Sequence, residues 1–248
     1  MLEVRNLSKS FGGIAVTRNV SLRLGPGERR VILGPNGAGK TTLFNLLVGE
    51  LRPDSGEILM DGVSISGLSV NQRARKGLAR SYQKNNLFED LSIRDNLMLA
   101  ASSGQGKVSW LARDSFGDRE VRETVEEVAE QIALQEILDT PVKAASYGNR
   151  RQLEVGIALA TRPKILLMDE PTSGVGPSMI EGFHRLLKSL PRDLTILIIE
   201  HDMDLAFDVA DRITVLNFGE VVFEGTPGET RGNSVVREIY LGEVQDDA

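Results

Sequence analysis

Residues Gly34-Pro-Asn-Gly-Ala-Gly-Lys-Thr41 fit the pattern G-x4-G-K-[S/T], between the apolar run RVIL and the helix-like TTLFNLL. Residues in that order can wrap a polyphosphate. Glycines let backbone N–H groups curl around phosphate oxygens, and the start of the following helix adds partial positive charge. Lys40 is placed to reach the β and γ phosphates, and the Thr41 hydroxyl to ligate Mg²⁺. The plainer use of such a stretch is a glycine-rich turn that caps a helix. A phosphate-binding loop points to a nucleotide without naming a reaction. No N-K-x-D guanine-reading element accompanies it, which argues against a GTPase.

Ile165-Leu-Leu-Met-Asp169-Glu170 is four apolar residues followed by two acids. It predicts a buried parallel strand that delivers carboxylates at its C-terminal edge. Asp169 is then placed to hold Mg²⁺, usually through water. Glu170, one step further and on the opposite face, is placed to polarise a water attacking the γ-phosphate. Taken alone, the run also fits a strand that ends in a polar turn at Pro171. Upstream, Ser146-Tyr-Gly148-Asn149 and two arginines open an apolar helix. Ser146 fits an N-cap and Gly148 allows close approach, so this helix start is a second candidate anion site. As a bare tetrapeptide it fits an ordinary capped helix as well.

The elements that must position these groups follow from periodicity. Up to about residue 80 the chain shows short β-rich runs broken by glycine (LEVRNL, VSLRL, RRVILG, GEILMDG, GLARSYQ), with the helix TTLFNLLVGEL among them. Ile93 to Ala101 predicts a short helix, and Ser102 to Asp118 a polar, glycine-bearing insertion with a lone Trp110. Over 119–134, Val121, Val125, Val128 and Ile132 recur at helical spacing, with Glu123, Glu126, Glu127 and Glu130 on the other side. That is an amphipathic helix buried on one face, too short for a coiled-coil arm. After 160 the strands KILLMD, TILIIE and RITVL alternate with helical segments 178–190 and 202–210, which predicts parallel strands with crossover helices. NFGE signals a hairpin, and a C-terminal helix is expected near 234–241. The expected fold is α/β: a nucleotide-binding core over 1–83 and 161–248 with a β-rich N-terminal part, interrupted by a helical subdomain over 84–160.

Bulk properties bound the setting. The 248 residues suit one large α/β domain, and 41% hydrophobic with 26% charged residues is an ordinary globular balance. A net charge of −6 lacks the footprint of a nucleic-acid binder. With no cysteine, disulfides and thiolate metal sites are excluded, which is compatible with the cytoplasm. MLEVRNLSKSF has no secretory signal pattern, and no apolar run reaches the roughly 18 residues of a membrane span. Action at a membrane would require other chains to hold the protein there.

In this order the motifs resemble those of ABC ATPases, across essentially the whole chain. Ser146-Tyr147-Gly148-Asn149 is similar to the LSGGQ-type signature, with Ala145 for the usual Leu, Tyr147 for the first Gly and Asn149 for the Gln. The resemblance implies a P-loop NTPase core of ABC type with an inserted helical subdomain, and ATP with Mg²⁺ as cofactors. It implies that Gly34, Pro35, Asn36, Gly37, Ala38, Gly39, Lys40, Thr41 and Thr42 cradle the nucleotide. Phe11 takes the place of an adenine-stacking aromatic, usually Tyr, although a lone Phe fits a core position too. Gln83 resembles the Q-loop glutamine that joins Thr41 and Asp169 around Mg²⁺, and its loop is where such ATPases meet a membrane subunit. His201 resembles the switch histidine that contacts the γ-phosphate and orients Glu170, whereas His184 has no assigned role. Each γ-phosphate would lie between the phosphate loop of one subunit and Ser146 and Gly148 of another. The D-loop, Ser173-Gly-Val-Gly176-Pro177, departs from S-x-L-D, since Gly176 lacks the carboxylate.

Glu200-His-Asp-Met203 and Tyr240-Leu-Gly-Glu243 look more like the ATPases of bacterial branched-chain amino-acid importers, and their relatives for amides or lipopolysaccharide, than the family at large. The insertion 102–118 favours the amino-acid branch. The expectation is an ATP-hydrolysing subunit on the cytoplasmic face of the cell membrane. Its expected partners are two membrane permease subunits near the Gln83 loop, a second ATPase, identical or homologous, and an extracytoplasmic solute-binding protein. Nucleic acid is not among them. The rival, a soluble ABC ATPase acting on DNA or ribosomes, would call for long coiled-coil arms or two such domains in one chain. A non-hydrolysing regulatory subunit is the third possibility, kept open by the unusual D-loop.

Overall fold

Strands whose apolar residues alternate with polar ones lie at a surface, and strands that are apolar throughout lie inside a sheet covered on both faces. Both kinds occur here. The computed structural model describes residues 1–81, 87–104, 118–173 and 177–241. In chain order the elements are β1 (Leu2–Phe11), β2 (Ile14–Leu24), β3 (Arg29–Leu33), α1 (Lys40–Val48), β4 (Ser55–Met60), β5 (Val63–Ser64) and α2 (Val70–Arg75). Then come β6 (Leu78–Arg80), α3 (Ile93–Gly104), α4 (Arg119–Gln131), α5 (Tyr147–Ala160), β7 (Ile165–Asp169) and α6 (Pro177–Ser189). The chain ends with β8 (Thr195–Ile199), α7 (Met203–Val209), β9 (Arg212–Asn217), β10 (Glu220–Gly225), α8 (Pro227–Gly232) and α9 (Ser234–Leu241). These form two compact units: Met1–Arg73, Leu167–Glu170 and Arg192–Ala248 in one, Ala74–Leu166 and Pro171–Pro191 in the other.

In the first unit, β2-β1-β4-β5 form an antiparallel sheet. β1 buries Leu2, Val4 and then Leu7, because a register shift at Arg5–Asn6 returns the strand to its inward face. The second sheet of this unit runs β10-β9-β3-β8 and on to Leu167–Asp169 of β7. β3 lies parallel to β8 and β9, as the alternation of strands and helices predicts, and every residue of β3 and β8 is buried. The expected hairpin joins β9 to β10 through Phe218 and Gly219, with φ of 47° and 81°, the two left-handed residues of a type I′ turn.

α2 is not anticipated by the sequence patterns, and it carries an unexpected group. Arg73 is buried, and its guanidinium donates to the carbonyls of Leu46 (2.6 Å), Leu47 (2.7 Å), Leu68 (3.1 Å) and Ser66 (3.1 Å). The last carbonyls of a helix have no partner within it and carry partial negative charge, so this cation closes the C-terminal end of α1. Burial pulls its pKa down to about 10, which leaves it charged at neutral pH.

In the second unit α3, α4 and α5 pack together. The predicted face of α4 is buried at Val121, Val125 and Val128, and Ile132 behind it is buried too. α3 continues through Gly104, so Ser102–Gly104, expected to open the polar insertion, instead finish a helix in which Ser102 is buried. The rest of that insertion, with Trp110, lies outside the described residues. Gly77, just before β6, accepts at its carbonyl the N–H groups of Lys164 (2.8 Å) and Ile165 (3.0 Å) at the start of β7. No helix among the described residues is long and apolar enough to cross a membrane.

Candidate functional site

The first unit gathers most of the candidate groups at one sheet edge. β3 and β8 are parallel, with Ile32 beside Ile199, so both end on the same side. The Glu200 N–H donates to the Ile32 carbonyl (3.1 Å), and the Glu170 N–H to the Ile199 carbonyl (2.8 Å), which fastens the end of β7 to that of β8. The glycine loop leaves β3, the acid pair leaves β7 and His201 leaves β8, all at the carboxyl edge where open α/β sheets bind ligands.

Within the loop, Gly34 and Ala38 are buried, Pro35 is half-buried, and Asn36 and Gly37 face outward. Gly39 is the N-cap of α1 at φ 97°, and no side chain caps that end. A Cβ there would come within 2.5 Å of the Val16 carbonyl, so only glycine fits. Gly37 is also left-handed, at φ 78°, but has nothing within 4 Å of a Cβ position. The Lys40 ammonium is drawn back across the loop to the carbonyls of Gly34 and Pro35 (3.0 Å for the latter). Thr41 is exposed and Thr42 half-buried in the first turn. The hairpin turn braces the loop, with the Gly219 N–H on the Ala38 carbonyl (3.0 Å) and the Arg18 N–H on the Gly219 carbonyl (2.7 Å).

This surround of helix N–H groups, one ammonium and one hydroxyl fits a polyphosphate anion. No group of three or more acidic or histidine side chains among the described residues could hold a metal alone. Mg²⁺ is commonly bound through one or two protein oxygens, waters and the substrate phosphates, and Thr41 and Asp169 offer oxygens of that kind. Asp169 is buried at the end of β7.

Glu170 does not continue the strand. It adopts φ 43°, in the left-handed region rare for a glutamate, with its carboxylate partly exposed. His201 is exposed; its Nδ1 lies 3.9 Å from Glu170 Oε1 and 3.7 Å from Glu200 Oε2. Glu200 is wholly buried, and its Oε2 also accepts the His201 N–H at 3.1 Å. Sequence reasoning took Glu200 only as part of a branch-like run. The usable signal was an acid closing an otherwise apolar strand. Phe11 ends β1 opposite Ile14 and is 47% exposed, with the Lys9 ammonium 5.7 Å from its ring centroid, so it is not a core residue.

The signature-like turn belongs to the second unit. Ser146 caps α5 as predicted, its Oγ accepting the Asn149 N–H at 3.1 Å, and it is exposed beside half-buried Gly148. Gln83 and Gly176 lie outside the described residues.

Known proteins share this architecture. The family model described as ABC transporter matches residues 17–173. The chain is 36% identical to the high-affinity branched-chain amino acid transport ATP-binding protein BraF of Pseudomonas aeruginosa and 37% identical to its counterpart LivG of Escherichia coli K12, with 98% of this chain and of each relative covered. It is 34% identical to the lipopolysaccharide export system ATP-binding protein LptB of Haemophilus influenzae, with the same coverage. Among solved structures, an ATP-binding cassette of an ABC transporter, MJ1267, in its ADP conformation superposes with a TM-score of 0.82 at 28% identity, covering 98% of both chains. A dimeric bacterial ABC transporter cassette, MJ0796, gives 0.75 at 25% identity, over 92% of this chain and 99% of that one.

Proposed function

The chain belongs to the ABC transporter family, and from that membership we propose the part each residue plays in ATP-driven transport. The protein binds and hydrolyses ATP to power a membrane transporter, and it works as part of an ATPase dimer that engages permease partners. Uptake of branched-chain or related amino acids is the reading its relatives support best. The observation that carries the catalytic assignment is the convergence of the Gly34–Thr42 loop, Asp169–Glu170 and His201 on one edge of a parallel sheet.

The glycine loop and α1 bind the phosphates, Lys40 turns from its own loop carbonyls to the outer phosphates, and Phe11 offers its exposed face to the adenine. Thr41 and Asp169, with Gln83 added from the sequence alone, would hold Mg²⁺, which neutralises charge on the leaving phosphates when bound. Glu170 draws the proton from the attacking water, and His201, held by Glu200, keeps that carboxylate and the γ-phosphate in register. Ser146 and Gly148 close on the ATP of the neighbouring ATPase. The segment 84–160 acts as a helical subdomain inserted in the core of 1–83 and 161–248, and the loop with Gln83 receives the permease. The assembly sits on the cytoplasmic face of the cell membrane and takes its cargo from an extracytoplasmic solute-binding protein.

Affinity capture of the tagged chain from detergent-solubilised membranes, followed by mass spectrometry, tests this reading. Two multi-span proteins, a second ATPase and loss of labelled leucine uptake on deletion are expected. Recovery of soluble or ribosomal partners alone would remove the transport role. Capture with lipopolysaccharide-transport proteins would favour export, the second reading supported by the resemblance to LptB.

A further inference from the structure

Arg151 has no part in the site described above, yet it is a charged side chain buried on the signature helix. It lies on α5 four residues after Tyr147, so the two share a face. Only 9% exposed, its guanidinium branches three ways. Nη1 donates to Glu154 Oε2 at 2.8 Å, Nη2 donates to the Ser173 carbonyl at 3.0 Å, and the group lies 5.9 Å from the Tyr147 ring centroid. The Tyr147 hydroxyl donates to the same Ser173 carbonyl at 3.4 Å. The first two turns of α5 therefore hold, with two donors, a backbone carbonyl three residues beyond Glu170.

A helix-stapling ion pair needs only the Arg151–Glu154 contact within α5. The bond to Ser173 reaches 22 residues along the chain, to the segment that leaves the strand bearing the acid pair. A guanidinium can serve both partners because its donors form a rigid planar fork. An ammonium on a flexible stem supplies a point charge without that geometry. Tyr147 occupies the place where the signature usually has glycine, and it adds the aromatic side of the clamp.

We infer that Arg151, supported by Tyr147, is a positioning residue for hydrolysis: it locks the Ser146–Gly148 turn to the start of the D-loop segment at Ser173. Displacement at Ser173 is thereby passed to the turn that meets the neighbouring subunit's ATP. This inference rests on the reading of the chain as a dimeric transport ATPase.

The test uses the full chain in its assembled transporter in lipid nanodiscs, comparing wild type, Arg151→Lys and Glu154→Gln. Phosphate release is measured against ATP concentration, together with binding of a fluorescent ATP analogue to the isolated chain and with thermal unfolding. For Arg151→Lys, kcat is expected to fall about tenfold or more, the cost of a small misplacement of a reacting array. Analogue binding to the isolated chain should stay within about twofold, because the loop that binds it lies in the other unit. Glu154→Gln, which keeps an acceptor for the fork, should hold most of the wild-type kcat. Wild-type kcat in Arg151→Lys would overturn the inference. So would a loss that follows a lowered Tm and vanishes when each protein is assayed equally far below its own Tm. Absence of turnover in the unaltered assembly would overturn the ATPase reading itself, and is recognised before any variant is compared.

Discussion

The His201 imidazole stands between two carboxylates, 3.9 Å from Glu170 Oε1 and 3.7 Å from the buried Glu200 Oε2. Glu200 also accepts the histidine's backbone N–H, which anchors the main chain at His201, while Glu170 keeps a partly exposed carboxylate. Glu170→Gln should lower turnover by about 10²-fold or more while leaving ATP binding in place, as loss of a general base does. Steady-state phosphate release and size-exclusion light scattering with Mg·ATP check this. A variant that keeps near-normal turnover would take the base role from Glu170. Glu200→Gln retains an oxygen for the His201 N–H, and its loss should be several-fold smaller than that of His201→Ala.

Two neighbouring glycines should respond differently to the same change. Gly39→Ala drives a methyl into the Val16 carbonyl and should abolish nucleotide binding. Gly37→Ala meets open space and incurs only the left-handed cost of about 1 kcal/mol. Titration of each variant with a fluorescent ATP analogue separates them, and equal affinities would show that the loop relaxes around the methyl.

Capping and phosphate contact can be separated at Ser146. Ser146→Ala should cost about 1 kcal/mol of stability through loss of the N-cap. Ser146→Asp keeps a cap acceptor but places a negative charge where the partner's γ-phosphate is proposed to lie. It should unfold like wild type in urea and yet fail to form the ATP-dependent dimer. ATP-dependent association at wild-type strength would refute contact at this turn.

Asp54 accepts from the Lys9 ammonium and the Ser10 N–H, both at 2.7 Å, just ahead of Phe11. The Lys9 hydrogen bond first, and the Ser10 N–H second, hold its carboxyl below the usual carboxylate range. A depressed folded-state pKa adds stability above the unfolded value, near 3.9, and that stability is lost as pH falls through the lower folded value. The difference in urea stability between wild type and Asp54→Asn should hold steady from about pH 7 to 5 and shrink below about pH 4. A difference independent of pH would mean that the carboxylate charge is irrelevant to this contact.

Much of this architecture could be read from sequence where one local rule decided the outcome. Val121, Val125 and Val128 announce α4 because burial on one face demands that period, and Gly39-Lys40 marks a strand-to-helix turn because few other sequences make one. Thr226-Pro-Gly-Glu229 forms a capping box on α8, a local signal that hydrophobic periodicity does not reveal in so short a helix. Other features had no local signature. α2 is six residues long and mostly polar, and its one buried side chain, Arg73, is justified by carbonyls up to 27 residues earlier. Arg151 reads as one of several basic residues until its bond to Ser173 is seen. Ser102 looked like the start of a polar loop because its burial depends on the packing of α3, which composition does not report. Phe11 fitted both core and surface patterns, and only its exposure decides between them.

The turn between β9 and β10 offers a route to a sturdier protein. Phe218 holds a left-handed backbone with 77% of its surface in water, where a bulky side chain gains little from burial and pays for its conformation. Asparagine before glycine is the natural occupant of such a turn. Phe218→Asn should therefore raise stability by about 0.5–1 kcal/mol, readable as a higher Tm, and remove an exposed aromatic that favours self-association. Because the next residue, Gly219, braces the phosphate loop through Ala38, a stiffer turn would also stiffen that loop, making this a position where durability and turnover can be traded by design.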